Sequence, residues 1–464
     1  MKRGRKRILW VTFHFPPRQS GGVFRPIKIY KYLDKRRFEV DFLTLSLVSK
    51  YRRAIRDDTL LAEVSPKPRV YRLPSIEFDD VLRGIFDIAR RKRARGNGEE
   101  GNSSKRRPLS NDTGLRFLRA SLRKLYRMLI MTFYFPDHLV VWGSLASFKA
   151  LWLHLRNRYD VIYTTSNPPS GHLPGLLLRL CGAKWVADFR DGGSLWNKQV
   201  LGYVKNKVRE QVDFNYQRYV LSRADYVITQ SELLKKDFSR VFSLNHSRIK
   251  TIPNGYDEDD FVRQRGQELP FQKRAKEIHI LHVGSWVLNE EEVTKIQNNL
   301  NSLQRGLKEK GHAMYVHALG NDLFGGDRKK AVRFNYLFHG VIPHSILLPY
   351  LAAADCYLLC ASVGKLVEGA RGVLAGKLWE YLRGGKPILL FGPRDEAWNI
   401  IEDAGVGLYL GELDSDETVS VDELFSLVTK VKSVRSEVSQ HSWESRARAL
   451  QQVFLEVLEY KPTD

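Results

Sequence analysis

Cysteine is scarce in this 464-residue chain, with Cys181, Cys356 and Cys360 the only three. Three thiols set in apolar stretches can build neither a disulfide framework nor a four-thiolate zinc site, and they read as buried structural groups in a reducing compartment. Long apolar runs are missing too. A membrane-crossing helix needs about 18 or more apolar residues in succession, and the best candidate, MLIMTFYF from Met128, stops at Pro136-Asp137. The N-terminus, MKRGRKRILWVTFHFPP, starts with the positive charge of a secretory signal, but Pro16-Pro17 cuts the apolar stretch short, which predicts a buried first strand instead. These absences lead to the expectation of a cytoplasmic protein that does not cross a membrane.

The third shortage is of acid, and it is local. Residues 1–260 hold 50 Lys or Arg against 26 Asp or Glu, whereas residues 261–464 hold 25 against 26, so the net charge of +23 belongs to the first part alone. Such an excess asks for an acidic partner there. It is densest between Arg90 and Arg127, where 13 basic residues meet three acids.

Short β-rich apolar runs alternate with helix-length amphipathic stretches from end to end, the pattern of parallel sheets with helices on both faces. In the first part the runs are 8–13, 40–45, 160–165, 184–189, 225–229 and 249–252; in the second they are 279–284, 315–320, 335–340, 355–360, 387–392 and 407–410. The fold class expected is α/β, with two Rossmann-like doubly wound domains over residues 1–260 and 277–440. The polar stretch Tyr256 to Lys276 forms the joint. Residues 93–114 contain little that could pack and read as a mobile basic loop. Over 115–131, Leu115, Leu118, Leu122, Leu125 and Leu129 repeat at spacings of three and four opposite Arg116, Arg119, Arg123, Lys124 and Arg127, a basic amphipathic helix. It is either a surface helix with a solvated face or an interfacial helix on an anionic membrane, where each basic residue contributes on the order of 1 kcal/mol.

In open parallel sheets ligands bind beyond the carboxyl ends of the strands, so the residues there are the site candidates. After the first strand, Gly21-Gly22 opens a helix where backbone amides could approach a phosphate, or it is simply a turn; Arg25, one turn further, could add a cation. His172 begins the helix after SNPPSGHL, to cap, to pack or to hold a sugar hydroxyl. Asp188, Arg190 and Asp191 end the run KWVADFRDGG, either as a structural ion-pair cluster or beside a ligand. Gly284 and Ser285 end HVGS. Glycines recur between Gly364 and Gly376 ahead of a helix that begins near Lys377, a place suited to a diphosphate, with Lys377 as cation and Glu380 set to accept bonds from two ribose hydroxyls.

The segments FPPRQSGGVFR, SNPPSGHL, DFRDGGSLW, ADYVITQS, IPNGYD, HGVIP, LAAADCYLL and GKLWEYLRGGKPIL, in this order, resemble glycosyltransferases of the GT-B fold, and within them the retaining family 4 group that builds surface polysaccharides and glycolipids. The resemblance covers nearly the whole chain outside 93–114. It implies a nucleoside diphosphate sugar held mainly by the second domain, a lipid-linked or membrane-proximal glycan acceptor held by the first, and a terminal helix within 441–464 that crosses back to the first domain. It implies no metal and no further cofactor; helix dipole, amides and cations stabilise the leaving diphosphate. The donor-binding set is then Gly21, Gly22, Arg25, Gly284, Ser285, Glu368, Gly376, Lys377 and Glu380. The catalytic set is Asp191, with Arg190 and His172 orienting substrate, and the protein would work on the inner face of the cell membrane. Two departures stand out. Where the family commonly carries a second glutamate, eight positions before Glu380, this chain has Gly372, with Glu368 the nearest substitute; and GSWVLNEEEV lacks the usual Arg and Lys after the first strand of the second domain.

Two rival readings use the same charge. A nucleic-acid module would interleave aromatics with the basic residues, but Arg90 to Lys124 holds only Phe117, so no nucleic-acid partner is expected. An inactive membrane scaffold on the same fold would show neither donor hydrolysis nor transfer.

Overall fold

A computed structural model describes residues 4–18, 20–46, 59–75, 135–195, 207–263, 266, 268–286, 288–324, 334–361, 372, 374–430 and 438–459. The basic loop 93–114, the helix expected over 115–131 and Glu368 lie outside the described residues.

The first domain is a seven-stranded sheet in the order β3-β2-β1-β4-β5-β6-β7, with every pairing parallel. Its strands are β1 Lys6–Val11, β2 Phe38–Leu45, β3 Arg69–Leu73, β4 Val161–Thr165, β5 Lys184–Phe189, β6 Tyr226–Thr229 and β7 Ile249–Thr251. The continuous apolar runs follow from burial on both faces. In β1, Leu9 and Val11 pack under the helices Val140–Asn157, Leu173–Leu180, Lys207–Arg223 and Glu232–Phe242, while Ile8 and Trp10 pack under Phe24–Tyr32 and Trp443–Glu459.

The second domain is a six-stranded parallel sheet in the order β10-β9-β8-β11-β12-β13, made of β8 Glu277–Gly284, β9 Ala313–Gly320, β10 Asn335–Gly340, β11 Cys356–Cys360, β12 Ile388–Phe391 and β13 Gly407–Gly411. Leu281, Tyr357 and Leu359 face the helices His344–Ala353, Lys377–Gly384 and Glu396–Asp403; Ile280 and Leu358 face Glu290–Glu309 and Val421–Lys430.

The helix Trp443–Glu459 buries Ala447, Leu450, Val453, Phe454 and Val457 in the core of the first domain. A fully buried Leu, Val or Phe contributes roughly 1.5–3 kcal/mol, so apolar burial ties the end of the chain to the first domain far more firmly than its few polar contacts, such as Trp443 N–H to the Tyr256 carbonyl at 2.8 Å. Across the cleft, the Glu396 carboxylate accepts the N–H groups of Glu232 (2.9 Å) and Leu233 (2.8 Å), so an acid of the second domain caps a helix of the first.

Two expectations are corrected. Cys356 and Cys360 are buried, and burial pushes the Cys360 thiol up to about 12, but Cys181 is exposed. It follows the last turn of the Leu173–Leu180 helix, where Gly182 at φ +84° turns the chain outward. The sheet of the first domain also has an edge strand, β3, that apolar runs do not reveal. Its sequence RVYRL carries two arginines, and none of its residues is fully buried.

Candidate functional site

The carboxyl ends of β1, β8 and β9 meet at a cavity of about 280 Å³ between the domains, near the lower end of the ~300–1,000 Å³ range of small-ligand pockets. Its walls are Ser20, Gly21, Val23 and Phe24 from the first domain and Gly284, Ser285, Gly320, Asn321, Ile342 and His344 from the second. Gly284 has φ +95°, and Gly320 packs so closely on it that an added Cβ would lie 2.4 Å from the Gly284 carbonyl oxygen. Both strand ends therefore lack side chains for a steric reason, and their backbone is open to a ligand.

The glycine pair divides. An added Cβ at Gly21 meets nothing within 4 Å, whereas one at Gly22 would fall 2.5 Å from the His14 ring. Gly22 thus makes room for His14, whose Nδ1 lies 3.0 Å from the Ser20 hydroxyl, and Gly21 is the one free to face a ligand. Burial, followed by the charges of Arg190 and Arg18, pulls the His14 pKa down to about 3, so the ring is neutral.

Arg25 does not reach this cavity. Its Nε and Nη2 donate to Asp188 at 2.8 and 3.1 Å and its Nη1 to the Pro253 carbonyl, all within the core. Arg190 behaves differently. It donates to the Gly22 carbonyl at 3.0 Å, its Nε is buried without a partner, and no carboxylate stands within 4.0 Å among the described residues. Burial and then the nearby Arg25 lower its pKa, against the opposing pull of Asp188 and Asp191.

On the second domain, Lys377 opens the Lys377–Gly384 helix and its Nζ donates to His282 Nε2 at 3.3 Å. His282 Nδ1–H donates to the Leu358 carbonyl at 3.1 Å, so its Nε2 is the acceptor and the ring is neutral. Burial, then Lys377, pulls the His282 pKa well down. Burial also pulls Lys377 to about 8, and it has no carboxylate partner among the described residues. Gly376 is the N-cap of the helix, exposed and facing Asn254.

Glu380, one turn into the helix, receives His344 Nε2 on Oε1 at 2.7 Å. Burial works against charge on His344, yet Glu380 outweighs it and its pKa rises. Oε2 of Glu380 has no partner among the described residues and can accept a hydroxyl. His344, whose ring lies 4.8 Å from that of Phe24, is a residue the motifs did not single out. The rule that selected the others, the first helical residue beyond a strand, applies equally to HGVIPH.

His172 and Asp191 lie apart from this cavity. They line a separate small cavity of about 30 Å³ with Ser166, Asn167, Tyr216 and Gln217. Trp185 Nε1, which can only donate, binds Thr164 Oγ1 at 2.8 Å, and the same hydroxyl is hydrogen-bonded to His172 Nδ1 at 2.8 Å. His172 Nε2 is buried without a partner, and burial holds the His172 pKa at about 3, so the ring is neutral. Asp191 accepts from Asn167 and from the Gly193 N–H, both at 3.0 Å, and burial raises its pKa. Arg190 alone of the three bonds to the glycine pair beside the cleft, through the Gly22 carbonyl.

Glu63, Asp257 and Asp260 are grouped as if for a metal, but Lys28 Nζ sits among them at 2.7, 2.6 and 2.9 Å and supplies the positive charge.

Gly372 explains one departure. It has φ +82°, and an added Cβ would lie 2.7 Å from Ser231 Oγ and 2.8 Å from Leu233 Cβ, in the first domain. Gly372→Glu is expected to cost about 2–3 kcal/mol, lowering Tm by roughly 5–10 °C without tightening donor binding. Differential scanning fluorimetry and calorimetry check both; an unchanged Tm with tighter binding would refute it.

Residues 28–255 match the family model described as a glycosyl transferase 4-like domain. No curated protein sequence matches the chain. Among solved structures, sucrose-phosphate synthase from Thermosynechococcus elongatus superposes with a TM-score of 0.60 at 15% identity, covering 98% of this chain and 100% of that one. A glycosyltransferase from Rickettsia africae does so with 0.59 at 13%, covering 98% and 100%. The N-terminal domain of Candida albicans trehalose-6-phosphate phosphatase gives 0.53 at 11%, covering 98% and 97%. At these identities the likeness is one of fold.

Proposed function

From the premise that the chain is a glycosyltransferase of GT-B architecture, its first domain matching a glycosyl transferase 4-like family over residues 28–255, we propose that it moves a sugar from a nucleoside diphosphate donor to a lipid-linked or membrane-proximal glycan. The observation that carries the donor half of this reading is the interdomain cavity lined by Gly21, Gly284 and Ser285, with one cation bonded next to it on each domain, Arg190 on the Gly22 carbonyl and Lys377 on His282, neither with a carboxylate within 4.0 Å among the described residues. A diphosphate between the domains would neutralise both, and the open backbone at Gly21 and Gly284 would let it approach. As the bond to the sugar breaks, negative charge grows on the departing diphosphate, and the same two cations stabilise it without rearranging. Glu380, aligned by His344, would accept ribose hydroxyls. No metal is invoked, and retention of configuration follows from the family resemblance. The acceptor half is supported by the charge of the first domain, with 50 basic against 26 acidic residues up to position 260, which suits an anionic membrane surface and an acceptor embedded in it. Among the described residues no helix is long and apolar enough to cross a membrane.

Glu380→Gln keeps the shape but removes a charged acceptor, and it is expected to weaken binding of the preferred sugar nucleotide about tenfold. A thermal-shift screen of sugar nucleotides identifies that donor, and isothermal calorimetry measures the change. Unchanged affinity would take Glu380 out of the site.

A further inference from the structure

We infer that the outer face of the Val140–Asn157 helix is the surface by which the first domain docks on an anionic bilayer. This rests on the membrane-proximal acceptor proposed above and names the part of the protein that brings the cleft to it.

The helix turns Trp142, Ala146, Ala150 and Leu153 towards the sheet. On its other side Leu145, Phe148, Trp152 and Leu155 follow at spacings of three, four and three, which at ~100° per residue places them within about 80° of arc. They are 39, 69, 48 and 70% exposed. Apolar side chains of this size gain by burial, and a continuous exposed row of them marks an interaction surface. The neighbouring Leu173–Leu180 helix, packed against this one, adds Leu180 at 72%.

Charge decides the occupant. Lys149 Nζ lies 3.9 Å from the centroid of the Trp152 ring and the Arg156 guanidinium 5.6 Å, so cations edge the row on one side. From His138 to Tyr159 the chain has no Asp or Glu. An indole body with a cation at its rim fits the boundary between acyl chains and negative head groups. A second copy seated on the row would bring the same cations against each other. The chain's own 115–131 segment, with Arg116, Arg119, Arg123, Lys124 and Arg127, would add positive charge to positive charge. An anionic bilayer neutralises it.

The test uses the full chain and two variants, Phe148→Ser/Trp152→Ser/Leu155→Ser and Lys149→Glu/Arg156→Glu, in flotation with vesicles of phosphatidylcholine alone or mixed with phosphatidylglycerol. Wild type is expected to float with the mixed vesicles and not with phosphatidylcholine, and each variant to partition at least about tenfold more weakly. Unchanged Tm, mass by light scattering and donor affinity are expected for both. Variants that float like wild type, or a wild type that ignores anionic vesicles, overturn the proposal. So does a wild-type dimer that the triple variant makes monomeric, since a second copy is then the occupant. A triple variant with a lowered Tm and normal flotation shows that the row is covered by the chain itself. Transfer to a lipid-linked acceptor dispersed in detergent micelles needs no docking face, so its failure counts against the acceptor reading and leaves the docking result standing.

Discussion

Asp188→Ala is expected to destabilise the first domain by about 3–5 kcal/mol, a fall in Tm of roughly 6–20 °C. Asp188 is completely buried and accepts two N–H bonds from Arg25, at 2.8 and 3.1 Å, and the Tyr163 hydroxyl at 2.7 Å. Its removal leaves a guanidinium that is 1% exposed with only the neutral Pro253 carbonyl and Tyr163 hydroxyl as partners among the described residues and Arg190 as a nearby like charge. The penalty comes from the stranded cation more than from the lost bonds, because a buried pair replaced as a whole by apolar groups is often near neutral. The double substitution Arg25→Met/Asp188→Leu should therefore recover most of the loss. Urea denaturation followed by tryptophan fluorescence measures both, and a loss below about 1 kcal/mol for Asp188→Ala would show that Arg25 finds another partner. Neither substitution should alter donor affinity once the protein is folded.

The same pair shows how far the sequence could be read. All twelve apolar runs became strands: most are buried on both faces and announce themselves by composition alone, while the edge strand β10, with none of its residues fully buried, still carries the apolar run Tyr336-Leu337-Phe338. β3 escaped, since a half-buried edge strand with two arginines has no such run. Site residues were legible as positions, by the rule that they follow strand ends, but not as partners. Arg25 looked like a cation facing a donor; its carboxylate, Asp188, lies 163 residues further on, and nothing local reveals the pairing. Gly21 and Gly22 looked equivalent until the His14 ring separated them. His172 and Asp191 were grouped with Arg190 by sequence, yet the fold places the first two at a separate small cavity and joins the third to the Gly22 carbonyl beside the cleft. Gly372 was visible only as a missing glutamate, while the tertiary fold shows a position that has no room for one.

Beside the cleft these subtractions leave one cation without a close carboxylate on each domain, Arg190 and Lys377, and the second of them gives the sharpest test of donor binding. Lys377→Met is expected to weaken sugar-nucleotide affinity about a hundredfold, the loss of a charge-assisted bond to the diphosphate. In the free protein Lys377 titrates at about 8 because of burial, and a diphosphate binds only its charged form. Wild-type affinity should therefore fall as pH rises above about 8, approaching tenfold per pH unit, while Lys377→Met shows no such slope. The stability effect runs in the opposite direction. The folded pKa lies below the roughly 10.4 of an unfolded lysine, so the unfolded chain holds more protons between these values, and the burden of the buried charge is full below pH 8 and relieved as pH rises through the window. Against that relief, the variant leaves His282 Nε2 without its donor, and the two effects oppose, so Tm at pH 7 should stay within about 3 °C of wild type. Any stability advantage of the variant should shrink between pH 8 and 10. Calorimetry across pH 7–9.5 with paired melting curves decides the matter: a variant that keeps wild-type affinity, or a wild type whose affinity is flat across pH 8, would place the diphosphate on Arg190 and the backbone amides alone.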